Sequence, residues 1–185
     1  MAPKPTAASL NDSVAGELAS WIAEMPRTDP RTEAARQRIG RLARIFDRLL
    51  VRIAEDNDLS AGDWAALSAL QRSGPPHQAS PTELARRLDI TSGTMSVRLI
   101  RLTRAGLIEP SPAPDGRSRP VRLTAQGQER WRAATQQRTA AEHQLLTDEF
   151  SDAELDRLNV LLGRLLGRLE SNLGQVSRHD MPEET

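Results

Sequence analysis

Apolar residues recur at helical spacing along most of the chain. In residues 9–25, Leu10, Val14, Leu18, Trp21 and Met25 follow one another at intervals of three and four. That spacing lines one face of a helix, with Ser9 or Asn11 placed to cap it. Pro26 and Pro30 bracket a linker. Residues 32–55 repeat the pattern with Ile39, Leu42, Phe46, Leu49 and Ile53, separated by charged positions, and Asp56-Asn57-Asp58 interrupts it. Ser60 predicts the cap of a helix over 61–72, closed by Ser73-Gly74-Pro75-Pro76. Ser80-Pro81-Thr82-Glu83 then combines a capping hydroxyl, a proline at the first helical position and an acid three residues after the cap, which predicts another helix start. This helix ends near Leu88. Residues 89–91 make a tight turn, and Thr91 or Ser92 caps a second helix that runs to Arg104 and stops at Ala105-Gly106.

The period then changes. Residues 107–109 and 120–123 are short alternating runs, and Asp115-Gly116 lies between them. Asp-Gly between two such runs is a hairpin signal. Thr124 caps a helical region of about 125–149, residues 150–152 break it, and a last helix covers 153–173. There Leu155, Leu158, Leu162, Leu165, Leu169 and Leu173 form a heptad-like stripe. Such a stripe seeks a second helix, in a partner chain or within the same chain. Residues 1–8 and 174–185 predict loose tails. The fold class is mainly α with a small β-hairpin wing, and residues 61–124 form a winged helix-turn-helix.

Composition narrows the functions. The 185 residues suit one domain of ordinary size. Aromatics are 3%, so the core is aliphatic. The absence of Cys removes disulfides and thiolate metal sites, and His77, His143 and His179 have no ligand spacing. No metal or cofactor is expected. Neither a nucleophile–base spacing nor a Gly-rich phosphate loop is present, which argues against an enzyme. With no apolar run of membrane length and no secretory signal, a cytoplasmic location is expected. The formal net charge of zero conceals an asymmetry. Residues 81–124 carry eight Arg against four acids, a balance of +4, whereas residues 142–185 carry ten acids against four Arg, a balance of −6. The first of these segments is suited to a polyanion.

A helix-turn-helix places its second helix in the major groove and braces it with the first. Leu84, Leu88, Ile90, Val97, Ile100 and Leu102 are expected to fill the space between the helices, with Leu107 and Leu123 on the sheet side. The second helix opens with small and polar residues. Thr91, Ser92, Thr94, Met95 and Ser96 are the expected contacts, the hydroxyls to bases or phosphates and the Met or Thr methyls to a thymine methyl. Arg86, Arg87, Arg101 and Arg104 are expected at phosphates, which add affinity without reading sequence. The turn 115–119 would carry Arg117 and Arg119 into the minor groove. Two functions fit: a sequence-specific regulator binding double-stranded DNA, or a winged-helix architectural or protein-interaction module without ligand response.

The segments Pro81-Thr-Glu-Leu-Ala-Arg-Arg-Leu, Thr91-Ser-Gly-Thr-Met-Ser-Val-Arg-Leu-Ile-Arg-Leu, Ala105-Gly-Leu-Ile-Glu, Asp115-Gly-Arg-Ser-Arg and Val121-Arg-Leu-Thr-Ala-Gln-Gly together resemble the MarR family, the multiple antibiotic resistance regulators. The resemblance covers roughly residues 32–173. It implies a homodimer with interlocked terminal helices, in which 32–55 and 125–173 are dimerisation helices and Leu155, Leu158, Leu162, Leu165 and Leu169 line the interface. It also implies a pseudo-palindromic operator and repression released by a small anionic or aromatic ligand. The added helix at 9–25 is similar to that of a subgroup including urate-responsive members, where a Trp lines a ligand site with an Asp and two Arg. Trp21 matches the Trp and Arg98 one Arg. Ala65 stands at the Asp position and Pro110 at the second Arg position, so that motif is incomplete. A ligand site near Trp21, Trp64 and Arg98 is the corresponding expectation.

Overall fold

The computed structural model describes residues 11–25, 27–112 and 119–175. The chain divides into two compact units, residues 1–49 and 50–185. The expected tail at 1–8, most of that at 174–185 and the tip of the wing lie outside the described residues.

The first unit holds α1 (Ser13–Glu24) and most of α2 (Pro30–Asp56). Asp12, not Ser9 or Asn11, caps α1. Its carboxylate accepts from Ala15 N at 2.8 Å and also from Arg38 Nε at 2.8 Å. A second clasp joins Arg41 to Ser13 and Glu17. Asp29 caps α2 by accepting from Arg31 N and Thr32 N at 2.8 and 3.0 Å. Glu33 is buried yet charged: Arg36 Nη2 and Gln37 Nε2 donate to it at 2.6 and 2.9 Å. The Arg36 guanidinium, helped by Gln37 and the Trp21 indole, lowers the Glu33 carboxyl to about 2.

The second unit is the winged helix with its long carboxy-terminal helices. It comprises α3 (Ala61–Gln71), β1 (Gln78–Ala79), α4 (Pro81–Arg87), α5 (Ser92–Arg104), β2 (Ile108–Pro110), β3 (Val121–Leu123), α6 (Ala125–Thr147) and α7 (Asp152–Leu173). Every residue of α3 from Ala61 to Leu70 is buried. Around it pack Leu84 and Leu88, Met95, Leu99 and Leu102 of α5, Leu107, Ile108 and Val121. The sheet is antiparallel in the order β1-β3-β2, pairing Ile108 with Leu123 and Pro110 with Val121. The hairpin is therefore as expected, but β1 adds a third strand, with Gln78 opposite Arg122.

Two local devices fix where α5 and α6 run. Asp89 takes a left-handed conformation (φ 50°) in the turn after α4, and Ile90 N returns to Ala85 O at 3.1 Å. Such a turn reverses the chain within three residues. At the other end of α5, Gly106 (φ 71°) ends the helix and Leu107 N bonds Leu102 O at 3.0 Å. Thr124 then caps α6 by accepting from Gly127 N at 3.0 Å, while its hydroxyl donates to Gly106 O at 2.7 Å. A Cβ placed on Gly127 would overlap the Leu107 carbonyl. The Leu-Thr-x-x-Gly motif is thus the joint where α6 meets the start of β2. Further along, Trp64 Nε1 donates to Thr135 Oγ1 at 3.0 Å and Trp131 Nε1 to Ser68 Oγ at 2.8 Å, which ties α3 to α6.

Candidate nucleic-acid interface

Thr91 caps α5 by accepting from Thr94 N at 3.1 Å, leaving the amino-terminal turn exposed. Thr91, Ser92, Thr94 and Ser96 all face solvent. Their hydroxyls are oriented by local bonds: Thr91 Oγ1 lies 2.9 Å from Thr94 Oγ1, and Ser96 Oγ donates to Ser92 O at 2.8 Å. Hydroxyl oxygens retain acceptor capacity in such bonds, so these groups are held in place and remain available to a partner.

Apolar residues of the helix depart from expectation. Met95 is fully buried (0% exposed) in the core and cannot meet a base. Val97 and Ile100, expected between the helices, are 66% and 53% exposed. The reason is rotational. Met95, Leu99 and Leu102 follow at four and three and turn inward together, and a helix at 100° per residue then carries 97 and 100 to the opposite side. Leu84, Leu88 and Leu102 are buried as expected, and Ile90 packs at the edge of the core. Hydropathy alone thus misses Val97 and Ile100 as surface residues, and the period anchored on Leu99 and Leu102 is the signal that finds them.

The arginines divide into two groups. Arg101 is half exposed yet braces α5 against α3. Its Nη2 donates to Asp63 Oδ1 at 2.6 Å and to Ser60 Oγ at 2.9 Å, and its Nε reaches Asp63 Oδ1 at 3.3 Å. Asp63 is buried and accepts from Ser60 N at 3.1 Å, completing the cap of α3. Arg87 is likewise engaged, with Glu83, Ser73 Oγ at 2.7 Å and Ala69 O at 3.3 Å, and Arg122 pairs with Glu109 at 2.8 Å. Arg86, Arg104 and Arg119 are exposed, with no acid paired to them among the described residues. Free cations of this kind suit phosphates. Arg117 lies outside the described residues.

The expected ligand residues sit as follows. Trp21 is part of the first unit, on α1, and its indole contributes to the lowered Glu33 carboxyl. Trp64 is buried in the core of the second unit, with Arg138 4.6 Å over its ring and Thr135 accepting from its indole. Arg98 is 6% exposed and runs along α3, where a Cβ on Gly62 would collide with its guanidinium. On α7 no residue is buried. Leu162, Leu165 and Leu169 are exposed, and Leu155 and Leu158 are half-buried. No helix among the described residues is long and apolar enough to cross a membrane.

A sequence profile of the MarR family matches residues 57–118. The HTH-type transcriptional regulator PecS of Dickeya dadantii (strain 3937) is 30% identical over 153 residues, 82% of this chain and 92% of PecS. Wild-type apo MarR from E. coli superposes with a TM-score of 0.62 at 27% identity, over 70% of this chain and 94% of that one. The C80S mutant of E. coli MarR, complexed with operator DNA, gives a TM-score of 0.56 at 27% identity, over 70% and 91% of the two chains. MepR of Staphylococcus aureus, 21% identical with a TM-score of 0.64 over 71% of this chain and 95% of that one, shares the fold. The chain belongs to the MarR family and is a transcriptional regulator rather than an enzyme.

Proposed function

We propose that this regulator binds a pseudo-palindromic DNA operator as a homodimer and represses transcription until a small anionic or aromatic ligand releases it. One observation carries the DNA-binding part. α5 buries Met95, Leu99 and Leu102 and turns outward its amino-terminal hydroxyls, Val97, Ile100 and Arg104. The second helix of a helix-turn-helix needs this division to enter a major groove. The operator complex of the MarR mutant supports the same use of the fold. Thr91, Ser92, Thr94 and Ser96 approach base edges or phosphates, while Arg86, Arg104, Arg117 and Arg119 meet phosphates or the minor groove. A second copy covers the leucine ridge of α7, since a contiguous apolar helix face is stable in water only when covered.

Fluorescence anisotropy against the DNA flanking this protein's own gene, with random DNA as control and several salt concentrations, tests the reading. Selective binding that weakens with salt is expected. Equal affinity for both DNAs, and no consensus from a random-sequence selection, would instead establish the non-specific interaction module. The release step rests on Arg98, a cation buried in the recognition helix itself. An anion drawn to it would act only by preferring the form that does not bind DNA. Aromatic acids should therefore bind free protein more tightly than the DNA complex, and equal affinity would remove them as effectors.

A further inference from the structure

The outermost ridge of α5 consists of Gly93, Val97, Ile100 and Arg104, spaced four, three and four. It lies opposite the buried Met95, Leu99 and Leu102. Val97 and Ile100 are 66% and 53% exposed at its centre. Among the described residues, neither belongs to the buried core. β-branched residues are mediocre helix formers, and an exposed helix position is ordinarily filled by a polar or straight-chain residue. At Gly93 the fold leaves a side chain ample room: a Cβ would meet only Thr91 Oγ1, at 3.8 Å. The missing side chain lowers the ridge where its polar end begins.

The surroundings identify the occupant. Exposed Ser92, Ser96 and Thr103 flank the ridge on one side and Thr94 on the other, Arg104 closes it, and the segment 81–124 has a balance of +4. An apolar centre within a rim of hydroxyls and a cation is poorly suited to a hydrophobic protein helix. It matches a major-groove floor edged by phosphates, where the apolar group on display is the 5-methyl of thymine.

Building on the DNA-binding reading above, we infer that Val97 and Ile100 determine specificity by packing against thymine 5-methyl groups, so that each half-site is selected for thymine at the positions beneath them. Gly93 lets the backbone come close enough for that approach, and Arg104 anchors the ridge to a phosphate.

The test begins with a consensus obtained by random-sequence selection on the full-length protein. Each thymine of that site is then replaced singly by deoxyuridine, which removes the methyl and leaves base pairing intact. At one or two positions per half-site the affinity should fall about four-fold, the weight of one apolar carbon returned to water, and other positions should be indifferent. Val97→Ala and Ile100→Ala should each abolish the thymine–uracil difference at its own position and leave the salt dependence unchanged, because neither touches a phosphate. Both substitutions lie on the surface, and circular dichroism verifies the fold. Selective binding with thymine and uracil equivalent everywhere would overturn the inference and leave the regulator reading standing. So would a methyl effect that persists in both variants. Absence of any selected consensus would overturn the regulator reading and this inference with it.

Discussion

Replacing Arg101 with alanine removes the guanidinium that covers Asp63, and the consequence follows from their unequal burial. The Asp63 side chain is 7% exposed and that of Arg101 54%. The carboxylate would keep the bond from Ser60 N at 3.1 Å and lose both bonds from Arg101. Breaking a fully buried pair costs about 3–5 kcal/mol, whereas exposed pairs contribute roughly 0–1 kcal/mol. Water reaches one side of this pair, so Arg101→Ala should destabilise the protein by about 2 kcal/mol, between those limits. Asp63→Asn also weakens the cap of α3, so the pair is isolated by a double-mutant cycle, where a coupling of about 1–2 kcal/mol is expected. Urea unfolding measures it. DNA binding supplies the second readout. Arg104→Ala should reduce the slope of log affinity against log salt by about 0.9 for each phosphate that Arg104 neutralises, whereas Arg101→Ala should lower affinity by loosening α5 and leave the slope unchanged. An Arg101→Ala protein of full stability with a reduced salt slope would refute this and return Arg101 to the phosphates that its position in the sequence suggests.

Three further outcomes are expected. Gly127→Ala pushes a methyl into the Leu107 carbonyl and should destabilise by about 1–3 kcal/mol as an overpacked joint does; an unchanged melting temperature would show that α6 can shift aside at no cost. The Glu33 carboxyl is lowered from 4.5 to about 2, so its contribution is complete above pH 4.5 and is lost as pH falls towards 2; helical circular dichroism followed over that window should decline less in Glu33→Gln than in wild type, and superimposable acid profiles would contradict it. Leu165→Glu puts a charge on the exposed ridge of α7 and should convert a dimer to monomer in sedimentation equilibrium, with operator affinity falling as the second half-site is lost; a dimer of undiminished affinity would place the interface elsewhere.

What can be read in the sequence is what is decided within a few residues. Ser60, Ser80, Thr91 and Thr124 each accept from a backbone N–H three positions ahead, so the helix starts are legible from local chemistry. The cap of α1 is not, because Asp12 competes with Ser9 and Asn11 and is held by Arg38, 26 residues away. β1 escapes notice for the same reason. Gln78 and Ala79 carry no strand preference and become a strand only by pairing with Arg122 and Val121.

The ambiguity of α5 has a different origin. Its apolar residues form two sets, Met95, Leu99 and Leu102 on one side and Val97 and Ile100 on the other, and either set can serve as an inner face by hydropathy alone. The choice is made by the neighbours. With Leu102 N-terminal to the Gly106 turn and Leu107 returning to its carbonyl, the rotation of α5 about its axis is set from its carboxy-terminal end, and Met95 falls inward as a consequence. Arg98 falls inward with it, against a glycine on α3 that leaves room for its guanidinium. The same rotation brings Arg101 to Asp63 and leaves Arg104 outside. A single angle thus decides which apolar residues hold the domain together, which arginines brace it, and which face a partner.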